Sequence, residues 1–349
     1  MPLSVAAAQE LFTHVPGYLD TATVGLPPRA TVAALRAGVD DWAAGRGRPR
    51  DFDEAVAASR SSFAALVGAS PADVAIGANV SSFVGLVAAS LQAGAEVVAA
   101  EDDFTSLLFP FLAQAGRGVT VRLVPLERVA EAVGAGTALV AVSAVQSADG
   151  RVADLAAIAA AAEAAGAHTL VDATQAAGWL PLAAGRFDYL VAGAYKWLLS
   201  PRGSAFFAVR PDALAGIVPH AAGWYAGEYP WESIYGGPLR LARDARRLDV
   251  SPAWLCWVGA APSLALLAAV GVETIHAHDV ALADRFLAGL GLAPTGSAIV
   301  SLERADAGER LAAAGIAASA RAGRTRLAFH LTATDDDVDV ALRALGARP

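Results

Sequence analysis

From residue 54 to residue 210 the chain alternates short apolar runs with segments whose apolar residues recur at helical spacing. This predicts helices at 54–67, 81–91, 106–115, 129–134 and 154–166, and strands at 74–77, 96–100, 120–125, 138–144 and 169–172. A further apolar run, Phe187 to Ala194, ends at Tyr195-Lys196-Trp197. Strands and helices in such alternation make a mostly parallel sheet with helices on both faces, an α/β fold. Upstream, Leu3–Phe12 reads as a short amphipathic helix and Tyr18–Ala22 as an extended segment, while Pro27-Pro28 start a helix running to about Ala44. A basic loop, Gly45 to Arg50, follows; Arg48 or Arg50 suits an acidic substrate or a partner subunit, and a plain solvated loop suits both equally. The pattern weakens from His220 to Ser251, which reads as irregular structure. The remainder, 260–349, carries the mixed signals of a small C-terminal α+β domain.

Composition narrows the class. The chain has 349 residues, enough for a large domain and a smaller one, and at 55% hydrophobic and 17% charged it is globular. Its net charge of −8 has no basic stripe, which argues against a nucleic-acid partner. Cys256 is the single cysteine and the N-terminus shows no signal-peptide zones, so a cytoplasmic location is expected. Ala253–Val272 is uncharged over about the length of a membrane span, but it contains Pro262 and two glycines and stands alone. A helix buried in the core or at a subunit interface is expected there, with no membrane partner.

The chemistry concentrates between His168 and Arg210. The run Thr169-Leu-Val171 ends on Asp172, with Gln175 three residues on, and Lys196 closes the next run. Both charged residues follow strands, so they meet at the sheet edge where open α/β proteins hold ligands. A lysine between Tyr195 and Trp197 is costly to bury unless it is paired or covalently modified. Pyridoxal 5'-phosphate chemistry needs this pair: an amine for a Schiff base and a carboxylate that keeps the ring nitrogen protonated. The bland reading of Asp172 is a helix N-cap with Gln175 three residues later. Gly77-Ala-Asn79-Val80-Ser81-Ser82, between a strand and a helix, suits a phosphate. A dinucleotide-binding protein is disfavoured, since no G-x-G-x-x-G turn follows the first strand.

The segment Val171-Asp-Ala-Thr-Gln-Ala-Ala-Gly178, together with Asp188 to Gly203, closely resembles the class V, fold-type I pyridoxal-phosphate enzymes, which include aminotransferases, cysteine desulfurases and kynureninases. The resemblance implies a large cofactor-binding domain at 17–259 and a small domain at 260–349, with residues 1–16 packed on the latter. It implies Lys196 and Asp172 as catalytic residues, and Gln175 on the ring hydroxyl. Val80 and Ser81 match the family's GTTE-type phosphate turn, Tyr195 is a further phosphate ligand, and Phe104 stacks on the ring. Gly193 falls where desulfurases carry a phosphate-binding serine. Ser251, in a segment resembling RFExGTP, is expected at the phosphate of the neighbouring subunit, which makes a homodimer with a shared site. Arg326 falls on the arginine of RxSxxxYNTxxD and is expected to grip a substrate carboxylate, with Arg324 as the alternative; Ala328 and Ala333 depart from that pattern.

The function implied is action at Cα of a small-molecule amino-acid substrate. Transamination ranks first, with side-chain cleavage (C–S or kynureninase-like) or epimerisation as alternatives and a catalytically dead binding protein as the non-enzyme reading. Desulfurases keep a nucleophilic cysteine ahead of the arginine strand; 315–325 holds none, which disfavours persulfide chemistry. No metal is expected. Trp224, Tyr225, Tyr229, Trp231 and Tyr235 wall a substrate pocket or simply pack together.

Overall fold

A computed structural model describes residues 2–347. Its strands are β1 (Val74–Gly77), β2 (Glu96–Ala100), β3 (Thr120–Val124), β4 (Thr137–Ser143), β5 (His168–Asp172), β6 (Tyr189–Gly193), β7 (Ala205–Val209), β8 (Ile299–Leu302), β9 (Ser319–Arg321) and β10 (Arg324–Ala328). Its helices are α1 (Val5–Gln9), α2 (Arg29–Ala43), α3 (Asp53–Val67), α4 (Val80–Ser90), α5 (Thr105–Leu112), α6 (Val129–Ala132), α7 (Leu155–Ala165), α8 (Trp254–Val270), α9 (Val272–Gly289), α10 (Ala307–Ala313) and α11 (Asp335–Ala344).

The large sheet runs β1-β7-β6-β5-β4-β2-β3; only β7 is antiparallel to its neighbours. Its strands β6 and β7 are buried end to end and β5 from Thr169 onward, as the continuous apolar runs require. One core lies between the sheet and α3 and α8, where Phe63 stacks on Phe206 at 4.2 Å. Others lie beneath α4 and α5 and beneath α7. A second, antiparallel sheet, β8-β10-β9, packs with α9, α10 and α11 into a small domain.

The apolar stretch at 253–272 forms the expected helix, α8 from Trp254 to Val270, which Gly271 ends at φ 88° before α9 leaves at 83°. No single described helix is long and apolar enough to cross a membrane. α8 runs through residues 259 and 260 and packs on α2 and α3, so the chain passes towards the small domain after this helix and not within it. The N-terminal helix is only five residues; Leu3 N donates to the Ala269 carbonyl and Gln9 Nε2 to the Leu331 and Ala333 carbonyls.

Residues 18–25 join the two sheets. Leu19 lies in the small-domain core and bonds Ala317 and Ala328, while Gly25 N donates to the Tyr195 carbonyl. A Cβ on Gly25 would lie 2.0 Å from the Lys196 carbonyl oxygen, so only glycine permits this contact.

Candidate active site

Six parallel strands point their C-terminal ends at one edge, and the antiparallel β7 starts there. The turns at that edge enclose a cavity of about 460 Å³, within the ordinary range for a small-molecule site. After β1 come Asn79, Val80 and Ser81; after β2, Phe104; at and after β4, Ser143 and Ser147; at and after β5, Asp172, Thr174 and Gln175; after β6, Tyr195 and Lys196; and before β7, Arg202 to Ser204. Seven of the nine residues read from the sequence line it: Val80, Ser81, Phe104, Asp172, Gln175, Tyr195 and Lys196.

Lys196 and Asp172 are 6% and 4% exposed. No ion pair or hydrogen bond is found for the Lys196 amine among the described residues. Its Nζ lies 5.6 Å from the Phe104 ring centre and 5.7 Å from that of Tyr195. Burial pulls this ammonium down to about 8, against the attraction of Asp172; nearby Arg326, Arg321 and Arg202 add to the lowering. Burial likewise pushes the Asp172 carboxyl up to about 6, opposed by a hydrogen bond of 2.8 Å from the Thr174 amide to one carboxylate oxygen. The N-cap reading is not met, since no helix directly follows β5; Asp172 instead closes a turn through the Thr174 amide.

Gln175 is held by protein groups: its Nε2 donates to the Ala22 carbonyl and Ser147 Oγ, both at 3.1 Å, and its Oε1 accepts from Trp197 Nε1 at 2.8 Å. Asn79 caps α4, accepting from the Ser82 amide at 3.0 Å and from both the Ser81 and Ser82 hydroxyls at 2.9 Å. The first amides of α4 lack intrahelical acceptors and so form an anion-binding end. Burial pushes the Tyr195 phenol up from its ordinary value.

Arg326 and Ser251 do not line the cavity. Arg326, 1% exposed, sits one layer behind it: Nη1 donates to the Ser147 carbonyl, Nη2 to Thr23 Oγ1 at 2.9 Å, and Nε has no partner. Asp20 is 3.8 Å away. Arg324 pairs at the surface with Glu303. Ser251 is exposed, two residues beyond Asp249, which is anchored to Arg60 at 2.7 Å and to the Ile76 amide at 2.8 Å. Arg50 lies over the Trp231 ring at 4.7 Å, and neither it nor Arg48 lines the cavity.

The aromatic cluster faces elsewhere. Tyr225 Oη and Trp231 Nε1 both donate to Asp53, at 2.9 and 2.7 Å, and Trp224 packs on both rings. Cys256, in the first turn of α8, donates its thiol to the Arg202 carbonyl at 3.3 Å. Ser147, Thr174 and Arg202 were missed by the sequence reading, although each follows or precedes a strand at the edge already marked for ligands. Among the described residues, no group of acidic, histidine and cysteine side chains could hold a metal.

The cavity fits pyridoxal phosphate on three observations: a buried amine with no partner, a buried carboxylate facing it, and a helix N-terminus at one end. The class V aminotransferase family model matches residues 18–339. The uncharacterized aminotransferase YcbU of Bacillus subtilis (strain 168) is 32% identical over 232 residues, covering 63% of this chain and 60% of that protein. Isopenicillin N epimerase of Streptomyces clavuligerus is 30% identical over 255 residues, covering 65% and 62%. The matches thus span about 60% of the length of these relatives.

Among solved structures, the Escherichia coli cysteine desulfurase CsdA superposes with a TM-score of 0.83 at 20% identity, covering 98% of each chain. The cystine C-S lyase C-DES superposes with a TM-score of 0.84 at 22% identity, covering 96% of this chain and 98% of the other. At these identities the likeness is one of fold. The chain belongs to the class V aminotransferase family.

Proposed function

We propose that this class V family member is an aminotransferase, removing the amino group from Cα of a small-molecule amino acid and releasing the keto acid. The observation that carries the reading is the set of titratable groups in the cavity: Asp172, Tyr195, Lys196 and Arg202. Asp172, pushed up to about 6, is committed to the ring nitrogen in this reading, which leaves the Lys196 amine, pulled down to about 8, as the group that exchanges a proton at Cα, since burial raises the phenol and the guanidinium stays charged. One base suffices to move a proton between two neighbouring carbons, whereas inversion at Cα by way of both faces needs two.

Bound in the cavity, pyridoxal phosphate supplies an aldehyde that accepts the amino group and a ring that takes up the electron pair freed at Cα. Lys196 would anchor it covalently, and its amine, once free, would take the proton from Cα and deliver it to the former aldehyde carbon on the other side of the nitrogen. Asp172 holds a negative charge in a desolvated position and keeps a proton on the ring nitrogen. Phe104 would cover one face of the ring, and Gln175 would have to exchange one of its bonds to Ala22, Ser147 or Trp197 to serve the ring hydroxyl. The α4 end at Val80 and Ser81 and the Tyr195 phenol would bind the phosphate, and Arg326, one layer behind the cavity, would turn its planar fork from Ser147 and Thr23 to grip the substrate carboxylate. The reading includes a cytoplasmic homodimer in which Ser251 reaches the neighbouring subunit's phosphate. Large exposed apolar side chains, Trp42 at 71%, Phe109 at 61% and Leu239 at 78%, support self-association.

The test uses cofactor-loaded protein and a panel of amino acids, with keto acid, ammonia, sulfur products and inverted amino acid assayed separately. Expected is one equivalent of keto acid per site without an acceptor, and continued turnover once a second keto acid is added. Ammonia or sulfide released without an acceptor would replace the reading with a lyase. An inverted amino acid would replace it with an epimerase.

A further inference from the structure

The phosphate end of the cavity is short of hydroxyl donors. The Ser81 and Ser82 hydroxyls are spent on Asn79, and Ser204 Oγ donates to the Pro201 carbonyl at 2.8 Å. Position 193 is a glycine, and the hydroxyl nearest it, Thr174 Oγ1, accepts from the Gly193 amide at 3.0 Å. Beside the N-terminus of α4 stand the Tyr195 phenol, the hydroxyls of Ser106 and Thr174, and one cation.

That cation is Arg202. It lines the cavity with Asn79, Val80, Ser81 and Tyr195, and its guanidinium carbon lies 4.9 Å from the centre of the Tyr195 ring. Among the described residues no carboxylate pairs with it, although most other arginines here have one within 4.0 Å or carbonyl acceptors. Its charge reaches the chemistry, lowering the proton affinity of both Tyr195 and Lys196. The backbone beneath it is fixed: its carbonyl accepts from Cys256 Sγ, and Gly203, at φ 107°, comes so close that a Cβ would lie 2.9 Å from that sulfur. The side chain thus projects from a set position at the start of β7, stacked on the ring that flanks the anion end.

We infer that Arg202 is a phosphate-binding residue, a guanidinium that takes the place of the hydroxyl missing at Gly193. Its planar fork presents paired N–H donors to phosphate oxygens, and an uncompensated cation beside a helix N-terminus favours a dianion over a neutral ligand. The inference rests on the reading that the α4 end of the cavity holds the cofactor phosphate, and assigns a ligand which that reading lacks.

The experiment titrates cofactor-free protein with pyridoxal 5'-phosphate and with pyridoxal, following visible absorption, for wild type, Arg202→Gln and Arg202→Lys. Losing a charge-assisted hydrogen bond weakens binding by roughly 10- to 100-fold. Arg202→Gln is expected to lose that much affinity for pyridoxal 5'-phosphate and none for pyridoxal, with Arg202→Lys between. Inorganic phosphate should compete less well against the cofactor in Arg202→Gln by a similar factor. Equal loss for both ligands, or no loss for either, overturns the assignment of Arg202. Wild type that binds pyridoxal as tightly as its phosphate ester fails the underlying phosphate reading instead. Arg202 is exposed in the single chain, so its replacement should leave the fold of the cofactor-free protein intact, which circular dichroism checks.

Discussion

Asp172 and Asp249 are both buried acids, 4% and 0% exposed, and the protein treats them in opposite ways. Asp249 is saturated: both of its oxygens accept from the Arg60 guanidinium, at 3.2 and 2.7 Å, and one accepts from the Ile76 amide at 2.8 Å. Asp172 has one amide donor and looks across a cavity at an amine that it does not touch. Arg60 and Asp249 therefore act as a rivet, tying the 244–251 segment to β1 and α3. Lys196 and Asp172 are two desolvated charges left apart with a gap of ligand size between them. Burial alone does not mark a functional acid; a missing partner across an open space does.

The largest test of this contrast exchanges activity for stability. Lys196→Ala removes the base and the covalent anchor, and turnover is expected to fall by at least about 10³-fold. The cofactor-free protein should melt no lower than wild type, because the lost ammonium had no partner. Asp249→Ala leaves a buried guanidinium unpaired and should cost about 3–5 kcal/mol in denaturant unfolding. If Lys196→Ala proved as destabilising as Asp249→Ala, the two sites would be of one kind and the contrast would fail.

Protonation sharpens the comparison with a smaller effect. Asp172 is raised to about 6 from an ordinary 3.8, so its favourable, neutral state is complete below 3.8 and is lost as pH rises through 6. Lys196 is lowered to about 8 from 10.5, so its favourable neutral state is complete above 10.5 and is lost as pH falls through 8. Between about 6 and 8 both are charged and both oppose folding. Cofactor-free Asp172→Asn should then exceed wild type at pH 7 by on the order of 1–3 kcal/mol, a gain that shrinks on acidification towards pH 4. Denaturant midpoints at several pH values check this, and a variant less stable at pH 7 would show that Asp172 is riveted like Asp249.

Much of this was legible in the sequence, for a physical reason. Apolar runs that end in a turn residue or a charge fix strand ends to within a residue or so, and a parallel sheet then brings those ends to one edge. Asp172, Gln175 and Lys196 were readable because each lies just past such an end. What escaped has no periodicity to carry it. Nothing in 220–241 says that Tyr225 and Trp231 turn to Asp53, and nothing in Ala144–Ser147 says that Ser147 links Gln175 to Arg326.

The smallest effect concerns the pair that the sequence left open, Arg324 and Arg326. Two residues apart on β10, they point to the same face, so alternation cannot choose between them. Position along the strand does. Arg324 lies at the solvent end, 39% exposed beside a Glu303 that is 71% exposed, and such a pair adds little in water. Arg326 lies deeper, held by Ser147 and Thr23 beside the cavity, and burial lowers its proton affinity to about 10. Arg326→Lys keeps a charge but loses the fork, and should raise KM for the amino acid about 10- to 100-fold with a smaller change in kcat. Arg324→Ala should leave KM within about twofold and stability within about 0.5 kcal/mol. Steady-state kinetics of the two variants on one substrate decides the matter: the reverse pattern would move the carboxylate site to the mouth of the cleft and leave Arg326 as a buried strut, a second rivet like Arg60.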